Sequence, residues 1–278
     1  MSVKSIFSAA LLASAASAST ILTRSTKFGC SAPDPTEEQM RIAKDFGIKE
    51  AATRKAGLTT KAAINVNVYF HSIASSEGAL LTDQNFQDQF NVLADNFSPA
   101  GITFNLAGTT RTVDASWAVD GDEMAMKTEL RQGSYADLNV YYTEELGGNL
   151  GYCYFPTDAP EGSDAFFRDG CSVLASSVPG GSAEGYNLGK TTTHEVGHWF
   201  GLYHTFEGGC TGGGDEISDT PAQDSPSSGC PVGRDSCPND EGVDPIHNYM
   251  DYTTDECYEE FTAGQYDRIN SFWAQYRA

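Results

Sequence analysis

His194, Glu195, His198, Gly201 and His204 fall in the string His-Glu-Val-Gly-His-Trp-Phe-Gly-Leu-Tyr-His. Its spacing suits one chemical task. On a helix, His194 and His198 are one turn apart and share a face. Gly201 can adopt the positive φ that ends a helix and turns the chain, which lets His204 return as a third ligand. Zinc in a catalytic site takes three protein ligands and keeps a fourth position for water. Glu195, directly after the first ligand, is placed to take a proton from a water activated there. A shorter His-Glu-x-x-His pair can arise by accident. Here three of the five histidines in the chain lie within these eleven residues, which weighs against a helix carrying solvated histidines by chance.

The elements that must position this string are legible from periodicity. Ile64, Val66, Val68 and Phe70 alternate with polar residues, as do Ile102, Phe104 and Leu106, and Leu138, Val140 and Tyr142. Each set predicts a half-buried strand. Phe86, Phe90, Leu93 and Phe97 recur at helical spacing and predict an amphipathic helix. Residues 124–130 suit a short helix. Residues 147–190 hold many Gly, Pro and Ser and predict mostly irregular chain, with a short strand at Val173 and Leu174. The motif helix follows at roughly residues 188–200. A Gly-, Asp- and Cys-rich stretch to about residue 244 has little periodicity. A last helix starts near Thr262, an N-cap, and carries Tyr266, Ile269, Phe272 and Trp273. Strands mixed with helices, then an irregular part closed by a helix, predict an α+β domain with the metal in the cleft between the two parts.

The 278 residues carry 17 Lys and Arg against 38 Asp and Glu, a net charge of −21. Such a surface repels nucleic-acid phosphates and anionic membranes, so neither is an expected partner. Lys4, the apolar residues 6–16 and the small-residue site Ala16-Ser17-Ala18 read as a secretory signal peptide, residues 1–18. The expected product is secreted and extracellular. Seven cysteines agree with an oxidising compartment. The odd count leaves one over, and Cys30 is the isolated one. Residues 19–60 lack apolar periodicity and read as a pro-segment or a loosely attached N-terminal arm, ahead of a catalytic domain at 61–278. A thiolate is a good fourth zinc ligand, so Cys30 could hold the protein inactive; the competing reading is a disulfide to another cysteine or an unreactive thiol. Asn96-Phe97-Ser98 is the one glycosylation sequon, weakened by Pro99.

Met250 and Tyr252 lie in Asn248-Tyr249-Met250-Asp251-Tyr252. A Met in a tight turn beneath a zinc site is the second mark of a metzincin, and the Tyr252 phenol could donate to a developing oxyanion. With Thr193 through Phe206 and Asp219-Thr220-Pro221, these residues resemble the pappalysin family of metzincins, and its secreted fungal members especially. The likeness is strong over about the last third of the chain.

That resemblance implies a metzincin-like catalytic domain: a mixed twisted sheet with helices, then an irregular, disulfide-stapled part ending in a helix. It implies a zinc-dependent endopeptidase acting on proteins or peptides through zinc-activated water. His194, His198 and His204 are then the ligands, Glu195 the general base and Met250 the structural Met-turn. The resemblance also implies the pairs Cys210–Cys237 and Cys230–Cys257. Cys153 and Cys171 flank a Gly-rich loop and could form a third bridge. Asp215, Glu216, Asp219, Thr220 and Asp224 offer hard oxygen donors that suit structural Ca²⁺, as the family resemblance also implies; the competing reading is a solvated acidic loop. Asp255 and Glu256 precede Cys257 and, if that bridge forms, would pair with a basic side chain just after the cleaved bond; otherwise both face solvent. Two other functions stay open from the residues alone: a non-peptidase zinc amide or ester hydrolase, and a catalytically silent binding protein on the same scaffold.

Overall fold

The structure, a computed structural model, describes residues 29–57 and 63–278. The expected signal peptide at residues 1–18 lies outside them. Five strands form one sheet in the order β2-β1-β3-β5-β4. They are β1 (Ile64–Ala74), β2 (Ile102–Val113), β3 (Leu138–Thr143), β4 (Gly151–Cys153) and β5 (Cys171–Leu174). The first four in spatial order run parallel, and β4 pairs antiparallel with β5 at the edge. Parallel neighbours need crossovers. Helix α2 (Asp83–Phe97) provides the one between β1 and β2, and α3 (Glu123–Leu130) lies on the path from β2 to β3.

The alternating residues of β1 put Ile64, Val66, Val68 and Phe70 into the core. Phe86, Leu93 and Phe97 of α2 pack on the same core. The motif helix α5 (Lys190–Trp199) closes that layer with Val196 and Trp199, and Phe200 follows at its end. Phe97 has ring contacts with Phe104, Phe200 and Phe261, so β2, the end of α5 and the approach to the last helix meet on one side chain. Burying a residue of this size contributes about 1.5–3 kcal/mol. The final helix, α6 (Ala263–Tyr276), starts at an N-cap where Thr262 and Gln265 satisfy each other's backbone N–H groups.

Two segments depart from the sequence expectations. The arm is not loose: residues Glu37–Lys55 form the 19-residue helix α1. Thr36 and Gln39 make a capping box at its start, and Arg54 and Lys55 sit in its last turn. Helix α1 docks on α6 through Glu50, which accepts from Arg268 Nε and Nη2 at 3.2 Å and from Ser271 Oγ at 2.7 Å. Gly47 lies so close to the Glu216 carbonyl that a Cβ would sit 2.6 Å from it. The fully buried residues of α1 are the small Ala43 and the charged Glu50, with Met40 and Phe46 making the apolar contacts, which is why it leaves no continuous hydrophobic stripe in the sequence. The second departure is the presence of β4 and the short helix α4 (Asp164–Arg168) in residues 147–190, which are otherwise mostly irregular with the expected short strand as β5.

Disulfides join Cys153 to Cys171, Cys210 to Cys237 and Cys230 to Cys257. The first links register partners of β4 and β5. The other two close loops in the irregular part, where each such bridge typically contributes about 2–4 kcal/mol.

Candidate metal centre and active site

Helix α5 presents His194, Glu195 and His198, all buried. It ends because Gly201 takes φ 95°, and the Phe272 ring fills the space where a side chain would be. The chain then turns back and carries His204 to the other two imidazoles.

One ligand atom from each of His194, His198, His204 and Cys30 lies within 4.8 Å of the others. His194 Nδ1 faces the Tyr249 carbonyl at 2.6 Å, and His198 Nδ1 faces the Leu202 carbonyl at 2.8 Å. A carbonyl only accepts, so both Nδ1 atoms carry the proton and both Nε2 atoms present lone pairs. His194 Nε2 is buried without a partner, and His198 Nε2 lies 3.1 Å from His204 Nε2. Unpartnered imidazole lone pairs that converge in a buried place fit a zinc ion, with two of the rings oriented through carbonyls as metal-bound histidines are. Burial pushes the His194 pKa down to about 4, and lowers His198 and His204 well below the usual value. The neutral form, which binds metal, is favoured at each.

Glu195 is buried with Oε1 unpartnered. Burial pushes its carboxyl up to about 8, against a smaller opposing effect of the Cys30 hydrogen bond. The backbone of edge strand β4 comes close: a Cβ on Gly151 would meet Glu195 Oε1 at 2.8 Å. Met250 lies under the helix, its sulfur 2.5 Å from where a Gly197 Cβ would be, so only glycine fits there. The Tyr252 ring packs against His194 and His204.

Residues 29–31 occupy this cleft. Ser31 N donates to the Gly151 carbonyl and Leu150 N to the Gly29 carbonyl, each at 2.9 Å. The segment thus adds a short parallel pairing to the edge of β4. Cys30 Sγ donates to Glu195 Oε2 at 3.3 Å, and the Tyr252 hydroxyl donates to the Cys30 carbonyl at 2.9 Å. Burial and then the Glu195 charge push the Cys30 thiol well above its ordinary value. Leu150, Tyr186, Thr191 and Tyr258 line a small cavity beside Glu195.

The remaining sequence candidates separate. Asp255 is fully buried, while Glu256 faces solvent. Asp255 Oδ2 accepts from Leu188 N at 2.7 Å and from Lys190 N at 3.4 Å, at the start of α5, and Oδ1 has no partner. Its charge acts on Tyr186 and Tyr258, both lining the cavity. Desolvation pushes its carboxyl up to about 6.

Asp215 and Thr220 lie together, with Asp215 Oδ2 buried and without a partner. Thr220 Oγ1 donates to Asp215 Oδ1 at 2.7 Å. Asp219 instead accepts from Thr262 Oγ1 and Gly264 N at the start of α6, each at 2.8 Å. Among the described residues the only other His, Cys and acid grouping is Cys230, His247 and Cys257, whose cysteines are bonded to each other.

Some supporting residues gave no signal in the sequence. Asn96, the sequon asparagine, donates to Thr193 Oγ1 at 2.9 Å, next to His194. Asp169 accepts from Trp199 Nε1 at 3.1 Å and from Arg277 at 2.8 Å, which ties the end of α5 to the C-terminus.

The family model described as Pregnancy-associated plasma protein-A matches residues 180–274. One described as Metallo-peptidase family M12B Reprolysin-like matches residues 82–205. The chain is 60% identical over 264 residues to an extracellular metalloprotease of Podospora anserina, covering 90% of each chain. It is 54% identical over 282 residues to an extracellular metalloprotease of Sordaria macrospora, covering 100% of this chain and 99% of the other. Among solved structures it is similar to mature mirolysin of Tannerella forsythia in complex with a cleaved peptide. That match has 27% identity and a TM-score of 0.65, over 77% of this chain and 93% of the other. Mirolysin in complex with compound 9 matches at 30% identity and a TM-score of 0.67, over 77% and 92%.

Proposed function

The chain belongs to the pappalysin family of metzincin metallopeptidases, and from that premise we propose how its own residues divide the work. The protein is a secreted zinc-dependent endopeptidase that hydrolyses peptide bonds of proteins or peptides. His194, His198 and His204 are the residues that would hold the zinc. Zinc bound there supplies Lewis acidity, lowering the pKa of water and polarising a carbonyl.

Glu195 is the general base and then the acid. It takes a proton from the attacking water at its carboxylate oxygen and delivers it to the leaving amine nitrogen. Its burial favours holding a proton near neutral pH, and the charge of a bound dication acts in the opposite direction. Tyr252 donates a hydrogen bond to the substrate carbonyl oxygen as negative charge develops there. Its present bond to the Cys30 carbonyl is of that kind. The cavity beside Glu195 takes the side chain that follows the cleaved bond. Asp255, whose Oδ1 is buried without a partner, selects a basic one.

Residues 19–60 are the pro-segment, and the part around Cys30 keeps the enzyme latent. Its backbone covers the β4 edge, its thiol lies among the three imidazoles, and its carbonyl occupies Tyr252. The observation that carries the whole reading is the convergence of three imidazoles with Glu195 and Tyr252 on one peptide segment. Digestion of a peptide library by the wild type and by Glu195→Ala tests it. Cleavage by the wild type alone is expected; equal cleavage by both would remove Glu195 from its role.

A further inference from the structure

The three imidazoles are not supported alike. His194 and His198 each have Nδ1 fixed by a backbone carbonyl. His204 makes no such bond in the structure. It lies beyond the end of α5, on irregular chain. Its ring is stacked on Phe206 at 4.7 Å and has the Tyr252 ring edge-on at 5.0 Å. Ring contacts limit tilt but are weakly directional compared with a hydrogen bond. What holds the backbone at His204 is the next residue. Thr205 N donates to the Met250 carbonyl at 3.2 Å, and Thr205 Oγ1 donates to Gln223 Oε1 at 2.8 Å.

Gln223 is fully buried and uses both ends of its amide. While Oε1 accepts from Thr205, the two Nε2 hydrogens are shared among Asp251 Oδ1 at 3.0 Å, the Ser225 carbonyl at 3.0 Å and Ser227 Oγ at 3.1 Å. Asp251 Oδ1 also accepts from Ser227 N at 2.9 Å and from Tyr252 N at 2.8 Å. One amide therefore joins the residue after the third imidazole to the residue between Met250 and Tyr252. Both neighbours are buried, so removing the amide strands the Thr205 hydroxyl away from water and takes one donor from Asp251 Oδ1, which keeps Ser227 N and Tyr252 N.

We propose that Gln223, acting through Thr205, is the positioning residue for His204, and that this link sets how long the protein holds its zinc. The inference rests on the reading of His204 as a zinc ligand. Partners behind metal ligands typically change metal affinity by roughly 10- to 100-fold when removed. The link replaces, for His204, the direct carbonyl contact that the other two imidazoles have.

The test is zinc release from the full-length, zinc-loaded protein to an excess of a chromophoric chelator. The variants are Gln223→Leu, Thr205→Val, Thr205→Ser and His204→Ala. Thr205→Val removes the hydroxyl with little change of shape, and Thr205→Ser keeps it. Release is expected to be roughly 10- to 100-fold faster in Gln223→Leu and Thr205→Val, with Thr205→Ser near the wild type. A purely structural staple would lower the melting temperature of the metal-free protein and leave release unchanged. Equal release from Thr205→Val and Thr205→Ser overturns the proposal, also if Gln223→Leu does not fold. His204→Ala separates the two levels. If it retains zinc like the wild type, the ligand assignment itself fails. If it loses zinc while Thr205→Val does not, only the positioning role fails.

Discussion

Cys30 Sγ and Glu195 Oε2 are 3.3 Å apart, although 165 residues separate them in the chain. The thiol of the N-terminal segment thus sits on the carboxyl that the reaction needs, and among the imidazoles as well. On the reading proposed above, this contact would exclude a substrate. Replacing the sulfur by a hydroxyl removes the soft zinc donor, while an O–H donor and the backbone pairing to β4 remain. Cys30→Ser should therefore raise the peptidase activity of the unprocessed chain by about tenfold or more. Equal latency in a fluorogenic peptide assay would rule out the thiol as the block.

Glu195→Ala should leave zinc content unchanged and lower kcat/KM by about 10²- to 10⁴-fold, the usual worth of a positioned acid–base group. His194 and His198 keep their carbonyl partners without it, and His204 keeps its ring contacts with Phe206 and Tyr252. Metal analysis alongside kinetics checks both halves. Loss of zinc together with activity would mean that the carboxyl supports the metal site instead.

Asp255 should give the enzyme a pH-dependent preference. Its carboxyl is pushed up to about 6, first by desolvation, with the Leu188 and Lys190 N–H groups opposing. Above that pH it is charged and, on the reading proposed above, would pair with Arg or Lys after the cleaved bond. As pH falls through about 6 it takes up a proton and the preference weakens. Cleavage-site profiling at several pH values, with Asp255→Asn and Glu256→Gln, checks this. Asp255→Asn should abolish the preference and exposed Glu256→Gln should not.

Helix α1 should depend on one buried ion pair. Arg268 and Glu50 are both buried, and Arg268 also holds the Asp215 and Glu216 carbonyls. Glu50→Ala leaves a buried guanidinium without its carboxylate, a loss of about 3–5 kcal/mol. Chemical denaturation of the full-length protein, or the rate at which a protease cuts within residues 37–55, should register it. Unchanged cutting would show that Phe46 against Phe272 holds the helix without the pair.

His71 should make the fold acid-sensitive. It is buried between Thr110 and Asn139, and desolvation lowers its pKa to about 4, with Arg131 adding to this and Asn139 opposing. Its value in the unfolded chain is about 6.5. Between these values the unfolded chain binds the proton and the folded one does not. This contribution is thus fully present above about pH 6.5 and declines as pH falls toward 4, by up to about 3 kcal/mol. In His71→Gln that part of the slope of stability against pH should vanish.

The chemistry of this protein is written locally. The spacing of His194, Glu195 and His198 depends only on the helical repeat, and Gly201 only on its own backbone freedom. The alternation in β1 and β2 and the spacing of Phe86, Phe90, Leu93 and Phe97 are likewise local patterns. Helix α1 had a local mark too, the capping box at Thr36 and Gln39, but its buried face carries Gly47 and Glu50, which only their partners on α6 and the 216 loop explain. Strand β4 is three residues long, too short for a period, and exists because β5 and a disulfide hold it. Adjacent residues in sequence gave no hint that Asp255 turns inward and Glu256 outward. Nor could spacing reveal that Cys30 meets Glu195, or that Gln223 joins Thr205 to Asp251. Those relations depend on where distant segments pass in space, because a buried hydrogen bond needs its partner within about 3 Å, however far apart the two lie along the chain.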